Sequence, residues 1–153
     1  MKMSQYINFY FKTKNDTFIS VGDFSRSTNM YEVCKAVGAP WEQLEPFTEK
    51  RREEVRNGLL YLKRKARNRI SELKIELEDS REFEWLSVND LRTLREELRF
   101  RIKEWEEETS KLEYAINFVK IIGKMTEGHN FSHENQLYFG FEVDGALENL
   151  KNN

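Results

Sequence analysis

The 153-residue chain has one cysteine, Cys34, so no intramolecular disulfide can form and a reducing compartment is the simplest expectation. It has only two prolines, Pro40 and Pro46, and seven glycines. From Thr48 to Met125 there is no proline, and glycine occurs only at Gly58 and Gly123, so little in that stretch can interrupt a helix. No segment reaches the roughly 20 consecutive apolar residues that a membrane span requires. The opening Met1-Lys2-Met3-Ser4-Gln5 also lacks the apolar run of a signal peptide. A soluble, cytoplasmic chain with no membrane partner is the expectation. The net charge of −2 gives the surface as a whole neither an attraction for nucleic acid nor enough acidity to imitate it. Gly-rich phosphate loops, Gly-x-Ser-x-Gly and Cys-x-x-Cys are all missing. Neither an enzyme nor a bound cofactor is expected.

What is present divides by position. Charged residues make up 34% of the chain and hydrophobic ones 39%, a balance suited to helices with much solvated surface. The eleven Phe, six Tyr and three Trp argue against disorder, and they concentrate in the first 31 residues and near the C-terminus. An aromatic head and a charged helical shaft are therefore expected within a single domain, 1–153. The head takes 5–47 and 126–145, and the shaft takes 48–125.

In the head, Ile7, Phe9 and Phe11 alternate with Tyr6, Asn8 and Tyr10, the period of a half-buried strand. Asn15-Asp16 suits a turn, and Phe18–Val21 reads as a second strand closed by Gly22 and Asp23. Met30, Val33, Cys34 and Val37 then share one helical face. Ser27, Thr28 or Asn29 can cap the start of this helix, and Gly38 and Pro40 end it. Cys34 lies in the apolar stripe, where a thiol without a cationic neighbour is inert packing. Trp41–Phe47 reads as a linker. Near the C-terminus Leu137, Phe139, Phe141 and Val143 alternate with Tyr138, Gly140 and Glu142, predicting a third strand.

The shaft reads as two helices, about 48–79 and 88–124. The first carries Val55, Leu59, Leu62, Ala66, Ile70, Leu73 and Leu77 in one stripe, and Thr48 can cap it. Ser87 with Asp90 has the form of a capping box before the second helix, with Leu86 and Leu91 as its hydrophobic staple. The second stripe is Leu91, Leu94, Leu98, Trp105, Leu112, Ile116 and Val119. A turn centred near residue 83 sets Leu62 beside Trp105 and Ile70 beside Leu98. Each helix is then about 45–55 Å long. Apolar residues off the stripe (Leu60, Tyr61, Tyr114, Phe118, Ile121 and Ile122) predict that the base packs into the head, leaving the far half toward solvent or a partner. The expected fold is α+β: a small three-stranded antiparallel or mixed sheet with one short helix, and a long antiparallel, coiled-coil-like two-helix hairpin inserted between strands 2 and 3.

The strongest charge feature is the basic run Lys63, Arg64, Lys65, Arg67, Arg69 and Lys74. Lysine and arginine neutralise phosphates, so a nucleic-acid-binding regulator is one reading. The expected register instead lays Lys63–Arg67 beside Glu104, Glu106, Glu107 and Glu108, and pairing across the hairpin is the favoured explanation. His129 and His133, with Glu134 adjacent, have a spacing that can chelate zinc, but no helical pattern or third ligand supports a metal site. Phe83 and Trp85 alternate with Glu82 and Glu84 at the turn; sealing the open end of the hairpin is their favoured explanation, and they are also the first candidates for contact with a protein partner. Tyr6, Tyr10 and Tyr138, on the sheet face away from the short helix unless the long hairpin covers it, are the second, beside a sheet edge able to accept a partner strand.

These features point to a non-enzymatic interaction module that docks on another protein or on a second copy as a homodimer. A structural or assembly subunit oligomerising through the hairpin is the third class. In its compact size, lone cysteine and absence of motifs, the chain as a whole resembles the small accessory proteins of bacterial phages and mobile elements. That likeness implies a role such as inhibition of a host or defence protein, anti-CRISPR proteins being one example, and a place in the cytoplasm of the host cell.

Overall fold

The computed structural model describes residues 3–13, 15, 17–40, 44–126 and 137–143. The chain is α+β. Strands β1 (Met3–Lys12), β2 (Phe18–Ser25), β3 (Glu45–Pro46) and β4 (Leu137–Val143) accompany helices α1 (Asn29–Ala36), α2 (Glu49–Asp79) and α3 (Val88–Thr126). Among the described residues the sheet has four strands, not three, in the order β2-β1-β4-β3, and every neighbouring pair is antiparallel. The fourth strand comes from the segment read as a linker. Glu45 pairs with Phe139 and Pro46 with Tyr138, the Phe47 N–H donates to the Leu137 carbonyl, and the Phe141 N–H donates to the Pro40 carbonyl. Proline has no N–H to offer a further neighbour, which suits it to the outer edge of a sheet.

β2 also runs past Gly22 and Asp23, the residues expected to close it, and reaches Ser25. It does so across a bulge. Phe9 pairs with Gly22 and Tyr10 with Ser20, leaving Val21 as the extra residue. A Cβ at Gly22 would stand 2.5 Å from Phe118 Cε2, so only glycine admits that ring.

The chain divides into two compact units, Met1–Leu59 with Ala115–Asn153, and Leu60–Tyr114; α2 and α3 each contribute to both. The first unit has an aromatic core. Phe9 lies 5.2 Å from both Phe47 and Phe118 and 6.0 Å from Phe139, and Phe24 lies 5.1 Å from Phe118. Phe9 and Phe139 are stacked and the other three pairs are edge-on, and such pairs add about 0.5–1.5 kcal/mol each to the burial of the rings. α1 adds Met30, Tyr31, Val33 and Cys34, all buried, with Tyr31 against Phe141 at 4.8 Å. Thr28 caps it by accepting the Tyr31 N–H, and Gly38, at φ +83°, ends it. The Val37 carbonyl accepts a hydrogen bond from Arg51, which also meets Glu54 at 3.1 Å and Glu45 at 3.6 Å. One side chain of α2 thereby ties down the end of α1 and the short edge strand. Cys34 is fully buried, and burial pushes its thiol up to about 12, as the apolar stripe implied.

In the second unit α2 and α3 pack antiparallel through Leu73, Leu98 and Ile102, with Ile70, Leu77 and Leu94 around them. The expected register is displaced. Leu73 joins Leu98 and Ile102, and Lys63 and Arg67 meet Glu113 rather than Glu104–Glu108. The turn explains the shift: a 3-10 segment, Ser80–Glu82, extends α2 before the chain reverses, so partners on α3 fall later in sequence. Ile102 is buried, whereas Trp105 remains 38% exposed. Off the stripe, Phe118 and Ile122 pack inward as expected, but Tyr61, Tyr114 and Ile121 are exposed.

Candidate functional site

The turn between α2 and α3 is closed by its own hydrogen bonds. Ser80 is fully buried, and its hydroxyl donates to the Leu77 carbonyl at 2.5 Å. The Phe83 N–H reaches Ser80 O at 3.2 Å and the Leu86 N–H reaches Phe83 O at 3.1 Å. Ser87 then caps α3, its hydroxyl accepting the Asp90 N–H at 3.1 Å while its carbonyl accepts from Leu91. These bonds hold the turn locally, and several of its side chains point outward. Trp85 is 79% exposed and Val88 is 84% exposed, with Phe83 edge-on to Trp85 at a ring separation of 5.9 Å. An aromatic that merely sealed the end of the helix pair would be buried. Trp85 is not.

The surroundings of this apolar knob are acidic. Between residues 76 and 90 stand six carboxylates (Glu76, Glu78, Asp79, Glu82, Glu84 and Asp90) against the single cation Arg81. The knob is therefore an exposed aromatic pair, followed three residues on by an exposed valine, in a segment of strongly negative charge.

No protein-family model, curated protein or solved structure matches this chain. Its geometry has to carry the functional reading.

The other candidates named from sequence fare unequally. Tyr6 is half exposed, in a shallow cleft of about 410 Å³ with Ser25, Arg26, Ser27 and Glu32. Tyr10 is buried, and Tyr138 is half-buried with its ring 5.7 Å from that of Phe18, so neither offers much surface. These tyrosines belong to one unit, and Phe83 and Trp85 to the other. The basic run is largely occupied. Lys63 and Arg67 share Glu113 at 3.4 and 3.5 Å, Arg69 pairs with Glu72 at 3.1 Å, and Lys65 lies over the Tyr61 ring. Arg64 and Lys74 are exposed.

His129, His133 and Glu134 lie outside the described residues. Among the described residues, no group of three or more His, Cys, Asp or Glu is placed to hold a metal ion, and no helix is long and apolar enough to cross a membrane. Val88 is the member of the knob that sequence reasoning missed. Its signal was positional, a valine directly after the Ser87 cap and outside the apolar stripe.

Proposed function

We propose that the chain is a cytoplasmic protein-interaction module that anchors on a partner protein through Phe83, Trp85 and Val88. The exposure of Trp85 at the end of a hydrogen-bonded turn carries this reading. Rigid aromatics inserted into an apolar pocket are the usual source of binding energy at an interface. The acidic ring specifies the rest of the partner: a pocket rimmed by lysine and arginine, because like charges facing each other across an interface cost several kcal/mol. Such a knob suits an inhibitor that occludes a basic surface of a host or defence protein.

The test is affinity capture from the native host with the intact chain, Trp85→Ala and Tyr6→Ala, followed by binding measurements with the purified captured protein. The expected partner is lost with Trp85→Ala, by a factor of about 30 or more in affinity. It is retained with Tyr6→Ala, and it binds more weakly as salt rises. Capture that survives Trp85→Ala refutes the reading. So does a captured species that is nucleic acid, an acidic surface or a second copy of the chain.

A further inference from the structure

A cleft of about 460 Å³ opens within the first unit, between the start of α2 and the end of α3. Arg52 and Arg56 line it from α2, and Lys120 and Lys124 line it from α3. Each pair is spaced by four, which sets its members one above the other on a helix face, about 6 Å apart. Arg52 is held in place: its Nη1 donates to the Phe47 carbonyl at 2.7 Å. Across from it Gly123 is buried, and a Cβ there would stand 3.4 Å from Arg52 Nε, an ordinary contact distance that sets the guanidinium close beside α3. Among the described residues, no ion pair engages Arg56, Lys120 or Lys124. Two carboxylates, Glu49 and Glu53, also line the cleft, which leaves the four cations in excess.

We propose that this cleft binds a short run of phosphates, the pyrophosphate or triphosphate group of a small molecule. Cations in excess of carboxylates in one cleft repel one another, and an anion bound among them offsets that cost. A single anionic centre answers only one rung of the two-by-two arrangement; adjacent phosphates answer both. Arginine supplies paired N–H donors to phosphate oxygens, and lysine supplies compact positive charge. The volume falls within the range of about 300–1,000 Å³ of small-ligand sites. Glu49 and Glu53 oppose the anion and hold its affinity down.

Calorimetric titration of the full chain at low salt tests this, with pyrophosphate and a nucleoside triphosphate as ligands and sulfate as the single-centred control. Saturable binding of both phosphate ligands is expected, with sulfate weaker. Lys120→Gln/Lys124→Gln and, independently, Arg56→Gln should each weaken pyrophosphate binding about tenfold or more. Glu53→Gln should tighten it, and Arg64→Gln/Lys65→Gln, outside the cleft, should leave it unchanged. All of these positions are exposed, and matched melting curves confirm that the variants are folded. The proposal is overturned by no saturable binding to the intact chain, or by sulfate binding as tightly as pyrophosphate. An equal loss in the Arg64/Lys65 variant, or an oligonucleotide that binds and that pyrophosphate does not displace, also overturns it.

Discussion

Replacing Gly58 with alanine sets two effects of opposite sign against each other. Gly58 lies inside α2, where alanine is better than glycine by about 1 kcal/mol on helix propensity alone. Against that, a Cβ at position 58 would stand 2.8 Å from Val33 Cγ1 and 3.5 Å from Cγ2. Val33 is buried in α1, and as a β-branched residue in a helix it has essentially one rotamer, so its methyl groups cannot swing aside. Overpacking of this kind costs about 1–3 kcal/mol. The clash wins, and Gly58→Ala is expected to destabilise by about 0–2 kcal/mol. Val33→Ala alone is expected to cost about 2 kcal/mol by leaving a cavity. In the double variant the new methyl occupies part of that cavity, so the two losses fall short of additivity by about 1–2 kcal/mol. Urea unfolding of the four proteins, followed by circular dichroism, gives both quantities from the midpoints at constant slope. A midpoint for Gly58→Ala above that of the unaltered chain refutes the argument, as does strict additivity.

Two further outcomes follow from burial. Cys34 should resist alkylation in the folded chain and react on unfolding. Its ordinary value of 9.0 is raised to about 12 by burial, so its contribution to stability is fully present below pH 9 and is lost as pH climbs toward 12. Comparing the alkaline limb of stability with that of Cys34→Ala isolates this contribution, and parallel limbs would contradict it. Leu73→Ala should cost about 2–5 kcal/mol, because Leu73 is fully buried in the seam between α2 and α3. Trp105→Ala, at a half-exposed position, should cost less despite removing the larger side chain; thermal melts that reverse this order would restore Trp105 to the seam.

Much of the architecture was legible because it rests on local rules. The alternation around Phe9 and Phe139, the Thr28 and Ser87 caps, the left-handed Gly38 and the apolar stripe of α2 all express a period or a backbone need that sequence records directly. The fourth strand was not legible. Glu45 and Pro46 have no strand signature of their own and are held by β4, a partner about ninety residues further on. The helix register failed for a similar reason. It depends on how far Ser80–Glu82 prolongs α2, and a three-residue 3-10 turn leaves no periodic mark. Among the candidate site residues, Trp85 is exposed where sealing the hairpin end is the favoured reading of its sequence, and Tyr10 followed the alternation of an exposed face and is nevertheless buried. Period 2 assigns a residue to a side of the sheet; it does not say what lies on that side.

The strand order also governs when the molecule can be completed. β1 sits between β2 and β4, and Ile7 pairs with Phe141, so an interior strand gains its second neighbour only about 110 residues after β2 has been made. At usual elongation rates the interval between β2 and β4 lasts roughly 5–20 s. The β1–β2 ribbon can form at once, but two strands alone are marginal, and one flank of β1 stays unpaired meanwhile. Closing so long a loop makes completion of the sheet the slow, nonlocal step of folding. A nascent chain stalled within α3 would hold β1 paired with β2 alone, its other edge open until β4 is made.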